Sequence, residues 1–352
     1  MTAHALSPEA ESAPHAHPLT LFGFDALVAG AARPRPGAAI FHDAHEDLVD
    51  DLAYADLYSR VAASVAQLRE CGLSRGDRVI LCAPPGAQGF VLLTAALAEG
   101  LEPVLAPLPL PLSRAAIARA TKSMSVTALF APAQFGGLDF EPALLDLAAQ
   151  TPSVRLIGTL GGALDGGVDF SGPALSARQG PRLRISDEWA VDAIPRIGAL
   201  GPSGEISYAT QGALIGAAID LVRMTRMSRE TPILSLCAPS SLAALVGGPL
   251  AALIGGAPLH SLAPFSAARF IGALDRLGAV RLVAPAAVLS DLARAGLLTN
   301  GALVGVVAIG DVVAAIPEAA CPVMSLREEA GAVVLSPVSH AGSPIGARVA
   351  AE

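Results

Sequence analysis

"SRGDRVILCAPPGAQGFVLLTAALAEGLEPVLAPL", Ser74 to Leu108, decides the architecture. Arg75-Gly76-Asp77 is a turn, and Val79 to Cys82 is a short apolar run stopped by Pro84-Pro85, the pattern of a buried strand. Phe90 to Glu99 reads as a helix closed by Gly100, and Pro103 to Leu108 returns as a strand. Strand, helix and strand at this spacing predict a parallel sheet covered by helices.

The alternation extends both ways. Leu57, Val61, Val65 and Leu68 recur at helical spacing before Gly72. Ser113 is placed to cap a helix through Ala120, and Val126–Pro132 and Val154–Gly158 read as strands. "GTLGGALDGG" (Gly158–Gly167) lacks the G-x-G-x-x-G spacing and reads as a surface loop. In the second half Pro232–Pro239, Val280–Pro285 and Val304–Asp311 are strand-like, with helices at Phe270–Leu277 and Val288–Ala295. The expected fold class is α/β, two lobes of mostly parallel sheet covered by helices. Residues 1–19 form a disordered tail, 20–175 the first lobe and 176–352 the second. Ligands of such sheets sit beyond the carboxyl ends of strands. Here those ends are Ala238-Pro239, Ala284-Pro285 and Gly310-Asp311, together with a glycine loop at Gly201.

Composition narrows the function. Of 352 residues 15% are charged, and the net charge of −8 argues against a nucleic-acid groove. Lys122 is the only lysine, so phosphate chemistry would depend on it, on arginines or on backbone amides. The four cysteines stand far apart with no C-x-x-C pair, which excludes a zinc or redox motif and points to a reducing, cytoplasmic setting. Cys82 and Cys237 read as small buried hydrophobes. The N-terminus has neither a basic start nor an apolar stretch and does not read as a secretory signal. Leu242–Leu259 is uncharged, but its four glycines and two prolines make it a buried helix broken by turns rather than a membrane span. "FHDAHEDLVDD" (Phe41–Asp51) holds His42 and His45 among acids. With no further ligand pair it reads as a hydrated acidic loop, and His260 as a partly buried loop residue.

"GPSGEISYATQGALIGAAID", Gly201 to Asp220, begins like a loop that sets backbone N–H groups and a helix N-terminus against an anion. Such loops usually carry a lysine; this one carries Glu205.

Leu52–Leu108, Leu234–Leu259 and Phe270–Leu298 together resemble the adenylate-forming enzymes, which include acyl-CoA synthetases, luciferases and nonribosomal peptide adenylation domains. The resemblance runs from about Leu48 to Pro337, carried more by pattern than by motif. It implies the large N-terminal domain of that family, which uses ATP and Mg²⁺ to turn a carboxylic acid into an acyl-adenylate. The acyl group then passes to coenzyme A or to a carrier-protein pantetheine. Against the family's phosphate loop, roughly T-S-G-T-T-G-x-P-K-G followed by T-H-x-N-L, Gly201 and Gly204 match glycines and Ser203 a hydroxyl position. Thr210 falls on the later segment, Gln211 stands where histidine is typical, and the Pro-Lys pair is missing. Ser240 and Ser241 replace both aromatic rings of P-x-F-H-x-x-G and could donate hydroxyls to a substrate. Of Y-G-x-T-E, at Ser325–Glu329, only Glu329 is retained, at the family's magnesium-binding position. Gly310 sits where the family has a glycine near the adenine.

The sequence stops at Glu352, before the ribose aspartate and the lid lysine that the family carries further on. The resemblance therefore implies a degenerate, lidless relative in which ATP/AMP and Mg²⁺ binding is weak or lost and no residue is catalytic. The ligands left to it are an acyl or pantetheine group, a carrier protein or another partner. Two alternatives stand beside this reading. One is an active or split ligase for carboxylic acids, fatty acids included, whose lid is a separate protein. The other is a structural interaction protein, with a homodimer through an apolar face.

Overall fold

The computed structural model describes residues 18–45, 48–108, 110–161, 164–176, 178–181, 183, 195–262, 264–312 and 319–338. The expected tail, 1–19, lies almost wholly outside the described residues. Helix α1 (Phe24–Ala32) precedes a hairpin of β1 (Ala39–His45) and β2 (Leu48–Ala53). Then follow α2 (Tyr54–Glu70), β3 (Arg78–Leu81), α3 (Ala87–Glu99), β4 (Glu102–Leu105), α4 (Leu110–Met124) and β5 (Ala128–Ala131). A small hairpin of β6 (Gln134–Phe135) and β7 (Leu138–Asp139) leads to α5 (Glu141–Ala149), β8 (Leu156–Thr159), β9 (Val168–Asp169) and α6 (Gly172–Ser176). The second half runs β10 (Ile197–Leu200), β11 (Ile206–Ala209), α7 (Gln211–Thr225), β12 (Ile233–Ser235), α8 (Leu242–Leu245), α9 (Ala251–Gly255) and β13 (Leu259–Leu262). It closes with α10 (Ala267–Leu277), β14 (Val280–Pro285), α11 (Ala286–Arg294), β15 (Leu303–Ile309), β16 (Val323–Glu329) and β17 (Ala332–Pro337).

Two sheets result, α/β and mostly parallel as the alternation predicts. One is ordered β17-β16-β15-β14-β12-β13-β1-β2, the other β11-β10-β4-β3-β5-β8-β9. Within each, the antiparallel pairs are edge hairpins: β1–β2 and β16–β17 in the first, β10–β11 in the second. Sheet membership does not follow the halves of the chain. β1 joins the second-half sheet through β13, and β10 joins the first-half sheet through β4. Which edge a hairpin completes is set by tertiary packing, which periodicity does not encode.

Strand residues alternate between cores, as the pleat requires. Val79 and Leu81 face a central core with α2, α3 and α7–α9, whereas Ile80 faces α4 and α5. Val283 likewise faces the central core, and Leu282 and Ala284 face α10 and α11. The central core includes Phe90, whose ring centroid lies 6.1 Å from Phe24 and 6.0 Å from Phe41.

Four local expectations are corrected. Phe41–Asp51 is not a loop but most of the β1–β2 hairpin: Phe41 and Leu52 are buried and pair in register. Glu46 and Asp47 lie outside the described residues. His260 belongs to β13, not a loop. Helix α4 starts at Leu110 and runs to Met124, so Ser113 lies inside it rather than capping it. Leu242–Gly255 is helical throughout, because Val246–Leu250 forms a π turn. The wider turn accommodates Pro249, which has no N–H to donate. Gly247 lies close under Ile309 and Leu326, where a Cβ would come within 3.0 Å of each. Among the described residues no helix is long and apolar enough to cross a membrane.

His260 makes stability depend on pH. Its ring stacks on His42 with centroids 4.2 Å apart, and His42 Nδ1 lies 2.8 Å from Asp51 Oδ1. Burial first, then His42 and Arg276, push the His260 pKa down to about 4 from an ordinary 6.5, with Asp51 opposing. In that window the unfolded chain binds more protons than the folded one, so the contribution is complete above pH 6.5 and falls as pH drops towards 4. Urea titrations at pH 7 and pH 5 should show wild type losing about 1 kcal/mol more than His260→Phe, after discounting for solvent screening.

Candidate functional site

The cleft forms where strands of both sheets end. A cavity of about 410 Å³ is lined from one sheet by Leu236, Cys237, Ala238, Leu262, Pro285 and Ile309. Pro85 and Leu108, which follow β3 and β4, contribute from the other, and Phe135 from the separate β6–β7 hairpin. Phe265, half-exposed, also lines it, with Ser240, Ser241 and Ala244 at the start of α8. Its volume suits a small organic ligand. None of the described lining residues is charged. Burial pushes the Cys237 thiol up to about 12, so this sulfur is an apolar wall and not a nucleophile. Burial does the same to Cys82.

Of the sequence-predicted residues, Ser240, Ser241, Gly310 and Glu329 are gathered on this side. Ser241 caps α8, its Oγ accepting from Ala244 N–H at 3.1 Å. Glu328 Oε1 accepts from Ala243 N–H at 3.0 Å, so a carboxylate of the chain already meets this helix N-terminus. Gly310 (φ +100°) follows cavity-lining Ile309. Its N–H donates to the Leu326 carbonyl at 2.8 Å, and its own carbonyl accepts from Ser325 Oγ at 3.0 Å. Glu329 pairs with Arg327 at 3.1 Å, and Arg327 also lies 3.6 Å from Asp311. Among the described residues no cluster of three His, Cys, Asp or Glu side chains could hold a metal ion.

Gly201, Ser203 and Gly204 lie in the β10–β11 turn. The turn does not run into a helix as the sequence suggests. Strand β11 intervenes, too short to show its alternation, and the N-terminus of α7 is capped by Thr210, whose Oγ1 accepts from Ala213 N–H at 3.2 Å. Within the turn, Gly201 N–H donates to the Glu205 carbonyl at 2.8 Å and Gly204 N–H to the Gly201 carbonyl at 3.1 Å. Ser203 Oγ donates to the Glu205 carboxylate. Arg119 of α4 donates to the carbonyls of Ser203 (2.8 Å) and Pro202 (3.3 Å). Gln211 is buried and both ends of its amide are engaged: Oε1 accepts from Phe24 N–H at 2.8 Å and Nε2 donates to the Pro195 carbonyl at 3.1 Å. The turn after Glu329 ties the two groups of residues together. Gly331 (φ +84°) lies against the Tyr208 backbone in β11, where any Cβ would overlap it.

Phe135, Leu108 and Phe265 were not legible as lining residues. Phe135 follows a short Pro-containing loop and Phe265 follows Pro264, and neither belongs to a periodic segment. The strand ends at Ala238 and Pro285 were the available signal.

No family model matches the chain. Over 133 residues it is 33% identical to a salicyl-AMP ligase / salicyl-S-ArCP synthetase of Mycobacterium tuberculosis, covering 37% of this chain and 23% of that protein. The match thus spans about a quarter of the curated relative. The apo structure of MbtA from Mycobacterium smegmatis superposes with a TM-score of 0.71 at 20% identity, over 90% of this chain and 59% of that one. The N-terminal subdomain of NpsA from Klebsiella oxytoca gives 0.64 at 16% identity, over 93% and 80%. In fold, and over part of its sequence, the chain is similar to the adenylate-forming enzymes.

Proposed function

We propose that this chain, similar in fold and in part of its sequence to the N-terminal domain of adenylate-forming enzymes, holds an aryl or acyl group in its apolar cavity and does not activate it with ATP. The observation that carries the reading is an uncharged cavity beside a turn without a lysine. None of the described lining residues is charged, and the turn at Gly201–Glu205 holds no lysine. Arg119, the guanidinium beside that turn, is engaged with two carbonyls. Activation of a carboxylate through a pentavalent phosphorus needs cations where charge develops.

ATP with Mg²⁺ does not fit the residues present. Glu329 is paired with Arg327, and Glu328 and Glu205 add negative charge. An uncharged cavity with two serine hydroxyls at one end favours a ligand with a neutral polar head, such as a thioester or amide, over a free carboxylate. The name of the M. tuberculosis relative supports a salicyl-like ring as the first probe. Isothermal titration calorimetry with salicylamide and salicylate, without nucleotide, tests the reading. The amide should bind at least as tightly as the acid, and failure of both to bind would contradict it.

A further inference from the structure

The β10–β11 turn carries an anion of the chain's own. The Glu205 carboxylate accepts the Ser203 hydroxyl. That bond first, then the turn's backbone amides and the Arg119 charge, hold its pKa below the usual carboxylate value. Gly201 provides the floor: a methyl group there would overlap the carboxylate. Gly204 (φ +93°) completes the turn, and a Cβ on it would stand 3.0 Å from Arg119 Nε. A hydroxyl is a group that a phosphate takes from a protein, and here the carboxylate has it.

We propose that Glu205 determines specificity at this turn: its carboxylate holds the Ser203 hydroxyl and sets a negative charge in the turn, so phosphate-bearing ligands are excluded and phosphate-free ones are left the cleft. The inference rests on the functional reading above, because the turn matters to the cavity only if both belong to one ligand cleft. Strand β10 packs on α8, which starts at the cavity, and the β16–β17 turn lies on β11. The exclusion is a property of one side chain. Loss of the loop lysine alone would leave the Ser203 hydroxyl open to an anion, whereas a resident carboxylate takes it.

Inorganic pyrophosphate is the probe, titrated calorimetrically into the full chain. Glu205→Gln removes the charge and keeps the shape, and should bind pyrophosphate roughly tenfold tighter than wild type or better. Glu230→Gln removes an equally exposed carboxylate held by Ser228 and Arg229, and should change nothing. Adding Ser203→Ala to Glu205→Gln should take most of the gain away. Thermal melts confirm that each variant is folded. Equal affinity of wild type and Glu205→Gln, or an equal gain in Glu230→Gln, overturns the inference. That failure leaves salicylamide binding untouched. Failure of salicylamide to bind wild type would instead sink the functional reading, whatever pyrophosphate does.

Discussion

Ser240→Trp should abolish binding of salicylamide, lowering affinity by roughly two orders of magnitude, while leaving the protein folded. Ser240 is only partly buried, lies in the segment between β12 and α8, and lines the cavity. An indole ring in place of the small hydroxymethyl group takes up room in the 410 Å³ cavity that the ligand would need. A large ring at this point replaces the ligand rather than distorting the core. The neighbouring Ser241 is a poorer place for the test, because its hydroxyl caps α8 and its loss would unsettle the helix that forms one wall. Calorimetry on the variant gives the answer. Unchanged salicylamide affinity would show that the ligand binds elsewhere.

Gly331→Val should cost roughly 3 kcal/mol of stability, read as a fall in the urea midpoint. Two penalties add. The residue has φ +84°, where a β-branched side chain is strained by about 1–3 kcal/mol. Its Cβ would also overlap the Tyr208 backbone, which is fixed in β11 and has no rotamer to yield. Overpacking of that kind typically adds 1–3 kcal/mol. The consequence reaches the site, because this turn, which follows Glu328 and Glu329, lies on the strand that leaves the Gly201–Glu205 turn. A Gly331→Ala control keeps the clash but lowers the conformational strain, and should fall between wild type and Val. A variant with valine and an unchanged midpoint would mean that the two sheets are not locked together here.

The layered α/β architecture was legible because its signals are local. Gly100 ends α3 in the left-handed region, and the apolar runs at Val79 and Val280 became strands buried on both faces. What periodicity could not show was the exchange of edge hairpins between sheets. β10 is short, and the partners that β1 and β10 find in the sheets lie far along the chain. The π turn at Val246–Leu250 was hidden for a related reason: Gly-Gly-Pro reads as a break unless the packing of Gly247 under Ile309 and Leu326 is known.

The site was legible in part. Strand ends at Ala238, Pro285 and Gly310 pointed to the cleft, and the missing lysine and the added Glu205 were plain in the sequence. That Glu205 folds back onto Ser203, and that Gln211 joins α1 to α7, depends on side-chain directions that spacing does not contain. Glu328 is the clearest instance. In the sequence it is one of two adjacent acids in a turn, yet it caps a helix more than eighty residues away.

The most direct measurement compares salicylamide with a non-hydrolysable analogue of salicyl-AMP in the same calorimeter, with wild-type protein. A cleft whose Ser203 hydroxyl is held by Glu205 and whose described lining carries no charge gains nothing from the added nucleotide, so the analogue should bind no tighter than the amide. Binding of the analogue by a hundredfold or more over the amide would show a working adenylate site and contradict the account.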